Sequence, residues 1–443
     1  MPRRNIVILL AFTVVSLLCC RKVQTNRYGR ILANAYDTIE RRYLTPVEPY
    51  DLFEGAMEGM VDRLPDRYST FESPKKAEEL DESLRQEFGG LGIQITIDPK
   101  TKFVTVVIPL FDTPAQKAGI RAGDKILRID DHSTQGLSLD DVKELLRGKP
   151  GEPVTLSILH EGAEEPVDIG VVRDIIPVAS VLGDTRNPDG SWNYFLEGRD
   201  RIAYVRIQSF GEKTLQELRD VLDELLKNDM QGLILDLRDN RGGLLTAATD
   251  ICNMFVGDGV IVTIRGRDKR VRQTYKADPK DTYPDFPIAV IVNQHSASAS
   301  EIVAACLQDL RRAAIVGQRT WGKGTVQDVI QLEENKGVLK LTTASYWRPS
   351  EKNIDKESSE TDGDWGVVPD EDCEVVVKGD ELVRFHQWRR QRDSHLPQAG
   401  DETSPNGEPE PFVDRPLQRA LKYVEKKLGQ TEYFDCLTYV DVT

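Results

Sequence analysis

Nucleophile chemistry is concentrated between Asn293 and Gln327, NQHSASASEIVAACLQDLRRAAIVGQRTWGKGTVQ. The serines fall between an apolar run, FPIAVIV at 286–292, and a segment with Ile302, Val303, Cys306, Leu307 and Leu310 at helical spacing. A hydroxyl where a strand ends and a helix begins faces unsatisfied backbone N–H groups and the positive end of the helix dipole, and both favour developing negative charge. Ser298 has two readings. With Glu301 three positions on, it completes a capping-box pattern worth about 1 kcal/mol of stability. The other reading makes it a nucleophile, and the glycine-flanked Lys323 of GKGTVQ bears on that choice. A neutral lysine can take the serine proton as histidine does in triad enzymes. Its pKa, ordinarily about 10.4, must then fall by several units, which burial achieves. If KGTVQ is extended, Lys323, Thr325 and Gln327 share one face, and Gln327 can hold the amine.

The elements that must position these groups are visible on either side. RIAYVRIQSF (201–210) alternates as a strand, and TLQELRDVLDELLKN follows as a helix with Leu215, Leu218, Val221, Leu222 and Leu225 on one face and a Thr214/Glu217 capping box. GLILDLRDNRGG (232–243) is a buried strand ending in a glycine turn, and LLTAATDICNMF is another helix. Strand, helix, strand in succession predicts an α/β core with function on the loops at the strand ends. Gly242 and Gly243 suit a backbone that must approach a substrate without a side chain in the way. Of the five histidines, His295 lies on the same turn as Ser298 and cannot take its proton without an improbable loop, and the others lack a triad setting.

Taken together, SASASEI, the downstream lysine and GKGTVQ resemble the carboxyl-terminal processing (tail-specific) serine proteases, peptidase family S41. The resemblance implies Ser298 as nucleophile, Lys323 as general base and Gln327 as its orienting partner. It also implies an oxyanion hole from the Gly243 and Ala299 N–H groups, the former in a match to the family's DLRxNxGG. Asp309 matches a common acidic position, expected to make a structural ion pair or a cap and not to transfer a proton. WGVVPD (365–370) matches the family's closing motif.

Residues 88–160 resemble a PDZ domain, from FGGLGIQI through FVTVVIPLFDTPAQKAGIRAGDKILRIDD to GEPVTLSIL. Gly90, Leu91, Gly92 and Ile93 would turn backbone N–H groups toward a terminal carboxylate, and the strand that follows offers an edge to an extended peptide. Arg147, in LLRGKPG, is either a solvated loop arginine or a link between the PDZ domain and the protease site.

The chain has 443 residues, 39% hydrophobic, and a net charge of −15, which argues against nucleic acid as a partner. Arg3 and Arg4 precede an apolar run from Ile6 to Leu18, the layout of a signal peptide and too short for a confident membrane span. Export to the periplasm or cell envelope is expected, with membrane or lipid attachment through Cys19 or Cys20 left open by Leu18. Cys252 and Cys306 read as buried free thiols, while Cys373 and Cys436 are candidates for pairing. The apolar stripe Leu52, Met57, Met60, Val61 and Leu64 needs a partner surface in this chain or another copy, which leaves a homodimer open. The terminal helix DRPLQRALKYVEKKLG raises the same question.

The expected architecture is an α/β protease core of the crotonase/tail-specific protease type, with an inserted PDZ domain and flanking N- and C-terminal helical regions. Its segments are a signal peptide or anchor (1–26), an N-terminal helical region (27–84), a PDZ domain (85–165), the protease core (166–375) and a C-terminal helical region with a Pro-rich linker (376–443). The expected function is an exported serine endopeptidase acting on unfolded or tagged proteins held by their C-termini, without metal or cofactor. The rival is a catalytically silent PDZ adaptor on a protease-like fold, which has no need of Ser298, Lys323 and Gln327 together.

Overall fold

The computed structural model describes residues 26–187, 190–359, 363–393 and 412–429. Residues 1–25, where the signal peptide or anchor is expected, residues 394–411, where the Pro-rich linker is expected, and Cys436 lie outside them. The described residues fall into two compact units, one drawn from 26–77 with 327–342 and the other from those between 78 and 326 and between 343 and 429.

In the smaller unit, helices Arg27–Arg42 and Pro49–Val61 precede strand Thr70–Glu72, which pairs antiparallel with the first residues of strand Val338–Trp347. Phe53 meets Phe71 edge-on at 5.8 Å. The predicted apolar stripe is only partly covered: Val61 is buried, whereas Met60 and Leu64 are exposed. Asp66 gathers the Tyr68 and Ser69 N–H groups and the Ser69 and Thr342 hydroxyls.

The larger unit contains two sheets with separate cores. In the first, strands Ile93–Ile97, Val104–Pro109, Lys125–Ile129, Pro153–Leu159 and Val167–Val172 stand in that order, and helix Leu139–Leu146 covers Val104, Val106, Ile126 and Leu156. This sheet continues past residue 165. It leaves the second sheet through a two-stranded ribbon, Glu87–Gly90 against Asp174–Pro177.

The second sheet is the α/β core. Strands Arg199–Ile207, Gly232–Asp236, Ile288–Val292 and Ala314–Gly317 run parallel. Both faces are covered, as parallel strands require. Ala203, Val205, Leu233 and Leu235 pack against helices Thr214–Lys227, Leu245–Phe255 and Ala299–Asp309. Ile202, Tyr204 and Ile234 face the other way, onto Ala420 and Val424 of helix Arg415–Lys427. The terminal helix therefore docks on its own core. Asp414 caps it by accepting from the Leu417 N–H and also pairs with the buried Arg238.

The predicted Thr214/Glu217 capping box does not form. The cap position is Lys213, and the Glu217 carboxylate instead accepts from the Ser180 and Val181 N–H groups and the Ser180 hydroxyl. A carboxylate that takes three donors from a neighbouring segment is worth more there than at a helix end that solvent can satisfy.

Candidate active site

Strand Ile288–Val292 is buried throughout, and the chain leaving it turns within six residues into helix Ala299–Asp309. Ser298 sits at that junction with φ 56° and ψ −113°, a conformation that a residue with a side chain seldom holds. Asn240, fully buried, explains how the turn is held. Its carbonyl accepts from the Ala297 N–H and the Ser300 hydroxyl, its side-chain oxygen accepts from the Gly242 N–H, and its amide group donates to the Ile207 carbonyl. One residue thus fastens the glycine loop, the serine turn and the end of a central strand.

The two glycines differ in what they make room for. A Cβ on Gly242 would stand 2.8 Å from both the Ala297 carbonyl oxygen and Ser298 Cβ and 3.0 Å from the Ala299 nitrogen, at φ 102°. On Gly243 it would run into the Phe210 backbone. Gly242 presses on the serine, while Gly243 lets the loop lie against the neighbouring strand end. The Gly242 N–H is committed to Asn240, whereas neither the Gly243 nor the Ala299 N–H donates to a group among the described residues.

Glu301 has more to do than cap a helix. Its side chain is fully buried, and burial pushes its carboxyl up to about 6 against four hydrogen bonds that favour the charged form. Oε1 accepts from the Thr320 hydroxyl at 2.5 Å and the Gly322 N–H at 2.7 Å. Oε2 accepts from the Ser298 N–H at 2.9 Å and the Lys323 N–H at 2.8 Å. The lysine loop is thereby tied to the serine turn through one carboxylate. Further bonds secure it: Trp321 N–H to the Ser296 carbonyl, Tyr346 N–H to the Gly324 carbonyl, and Val367 N–H to Thr320 Oγ1. The WGVVPD segment thus braces the lysine loop. Nothing in the sequence pattern beyond the Ser298–Glu301 spacing marks Glu301, and Asn240 was readable only as part of a glycine turn.

Lys323 precedes strand Thr325–Gln331 and is half-buried, so the extended run expected from KGTVQ begins two residues later. Gln327 belongs to the smaller unit, where its Nε2 donates to Thr342 Oγ1 at 3.2 Å. Asp309 makes the expected ion pair: Arg348 grips it through two bonds of 2.6 and 2.9 Å. His160 is taken up by Asp124 at 2.8 Å in the first sheet.

In the first sheet, Leu91 is buried and Gly92 adopts φ 76°, its carbonyl taken by the Leu110 N–H and the Thr113 hydroxyl. Ile93 opens the edge strand, beside helix Leu139–Leu146. Gly90 ends the ribbon strand. Arg147 caps that helix and reaches Glu82 at 3.0 Å, its guanidinium over the Phe88 ring at 5.3 Å. It fastens the first sheet to the segment leading into the ribbon.

Comparisons with known proteins agree with this layout. The profile of peptidase family S41 matches residues 201–373, a PDZ domain profile matches 103–159, and the N-terminal domain profile of the activating protease CtpB matches 21–75. A carboxy-terminal-processing protease of Bartonella bacilliformis is 40% identical over 335 residues, 75% of this chain and 72% of that protein. The chain belongs to peptidase family S41. Within the family, the carboxy-terminal processing protease CtpA of Bacillus subtilis is 33% identical over 315 residues, covering 71% of this chain and 64% of that one. The solved photosystem II D1 C-terminal processing protease is 27% identical, covers 84% of this chain and 98% of its own, and superposes with a TM-score of 0.44. This S41 chain is a serine peptidase with an α/β core of the crotonase/tail-specific protease type and an inserted PDZ domain.

Proposed function

We propose that this S41 member is an exported endopeptidase that holds protein C-termini in its PDZ domain and cleaves peptide bonds with a Ser298–Lys323 dyad. Lys323 takes the Ser298 proton as Oγ attacks the scissile carbonyl. The Gly243 and Ala299 N–H groups receive the oxyanion, and the ammonium returns its proton to the leaving amine before water releases the acyl group. The observation that carries this reading is the strained Ser298 at a helix start, with Gly242 against it and the Lys323 loop bound to the same buried Glu301. A capping serine needs none of these. The part given to Gln327 rests on the family resemblance.

Tail recognition draws on the edge strand Ile93–Ile97 and the Gly92 turn. Export draws on Arg3, Arg4 and the apolar run that follows. Incubation of the purified enzyme with an unfolded protein, as the free acid and with a C-terminal amide, tests the reading. Cleavage of the free acid at least tenfold faster, with products mapped by mass spectrometry, is expected. Equal rates would remove tail recognition, and no cleavage of either would favour the silent adaptor.

A further inference from the structure

The surface outside the proposed site carries one strong electrostatic anomaly. Strands Val260–Gly266 and Val271–Lys276 form an antiparallel hairpin reading VIVTIRGRDKRVRQTYK. From Arg265 to Lys276 it holds Arg265, Arg267, Lys269, Arg270, Arg272 and Lys276 against a single acid, Asp268, in a chain whose net charge is −15. Asp268 lies 3.4 Å from Arg270. Among the described residues, no carboxylate lies within 4.0 Å of Arg267, Lys269, Arg272 or Lys276, and all four are exposed. By contrast, Arg238 and Arg348 elsewhere are gripped by aspartates. Like charges crowded at a tip with abundant acid elsewhere in the chain repel one another, and the cost falls when an anionic partner binds.

Backbone geometry indicates what kind of partner. Strand Val271–Lys276 is the last strand of its sheet, so its outer row of N–H and C=O groups is open to another chain. Arg267, Asp268, Arg270, Val271 and Arg272 line a shallow groove of about 620 Å³ there, three arginines to one acid. An anionic lipid surface would use the charge but not the edge, and apolar anchors at the tip amount to Val271 alone. An extended acidic polypeptide uses both. The register also connects this edge to the lysine loop: Gly324 carbonyl to Tyr346 N–H at 2.7 Å, then Tyr346 opposite Ile264, then Ile264 opposite Gln273. A strand added beyond Gln273 lies about 19 Å from Gly324 at the usual strand spacing, a span that roughly six extended residues cover.

We propose that the outer edge of strand Val271–Lys276 is a docking site for acidic, extended segments of substrate proteins. It adds a strand there and presents the bond to be cut some six or more residues away. That the partner is a substrate rests on the proteolytic reading; the binding itself does not, and it is measured without cleavage. The probe is a fluorescent eight-residue peptide alternating Glu and Val, blocked at both ends so that it offers no terminal carboxylate. The protein is full-length Ser298→Ala, with and without Arg267→Ser, Lys269→Ser and Arg270→Ser together. Binding at low salt should weaken at least tenfold in the triple variant and in 0.5 M NaCl. Amide exchange across 271–276 should slow when the peptide is bound, and a Lys/Val peptide should not bind. Equal affinity of the two proteins for the acidic peptide overturns the proposal. So does a preference for phosphatidylglycerol vesicles over the peptide, which gives the tip to a membrane. Loss of a dimer in the triple variant without any peptide binding gives it to a second copy and equally overturns the proposal.

Discussion

The main-chain N–H groups of Ser298 and Lys323 converge on one oxygen, Oε2 of Glu301, at 2.9 and 2.8 Å. The two nitrogens can be no further apart than those bonds allow, so the serine turn and the lysine loop hold their relation through a buried carboxylate as well as through packing. Family membership places a serine peptidase here. This contact shows how the chain fixes the backbones on which the proposed dyad rides.

Replacing Glu301 by Gln keeps the shape and removes the charge. An amide nitrogen must then face either the Ser298 and Lys323 N–H groups or the Thr320 and Gly322 donors, leaving buried donors unpaired at a cost of about 1–3 kcal/mol. Linkage gives a second signature. The folded Glu301 carboxyl titrates near 6, above its ordinary value. The folded state therefore binds the proton more tightly than the unfolded chain, and this contribution to stability is present at low pH and lost as pH rises through 6. Between pH 4 and 7.5 the wild type should lose on the order of 2 kcal/mol more than Glu301→Gln. Urea denaturation at both pH values checks it; parallel curves would remove the buried charge from the account.

Gly242→Ala should damage activity more than stability. Its Cβ meets the Ala297 carbonyl and Ser298 Cβ at 2.8 Å, on a backbone at φ 102° that a side chain rarely adopts. The turn must shift, and a shift of about 1 Å at a nucleophile costs roughly a hundredfold in rate. The expected result is at least that loss in kcat/KM with melting within a few degrees of wild type. A variant with wild-type turnover would show that the serine turn tolerates displacement.

Arg238→Ala tests what docks the terminal helix. Burial alone would raise the Asp236 carboxyl, but the Arg238 guanidinium at 2.6 Å more than offsets it and holds it below the usual range. The same guanidinium reaches Asp414 at 2.8 Å, ahead of helix Arg415–Lys427. Removing it leaves two carboxylates buried without their cation, so a loss of about 3–5 kcal/mol is expected in urea denaturation. A change under 1 kcal/mol would mean that Ala420 and Val424 hold the helix unaided.

Much of this was readable from the chain, for identifiable reasons. The core strands and helices announce themselves through period-2 and helical spacing, and Ser298, Lys323 and the glycine pair stand in patterns dense enough to single out. What escaped is what depends on contacts distant in sequence. Glu301 looked like a cap because its immediate neighbours show nothing of the Thr320–Lys323 segment that folds back onto it. Glu217 fits the capping pattern as well as any residue, but Ser180 and Val181 reach it first. Amphipathicity showed that the terminal helix buries a face and could not say against what; the sheet residues Ile202, Tyr204 and Ile234 supply the answer. Gly242 and Gly243 are equivalent as letters and distinct only once Phe210 and Ser298 are beside them.

The most direct test of the dyad compares turnover of a denatured protein by wild type, Ser298→Ala, Lys323→Ala and the double variant, with melting temperatures alongside. Groups that act as a unit fail together, so each single variant should lose about 10³-fold or more in kcat, the double variant should be little worse, and all should melt close to wild type. Turnover within tenfold of wild type in either single variant, with stability lowered only by about the 1 kcal/mol of a missing cap, would contradict the dyad and return Ser298 to a structural role.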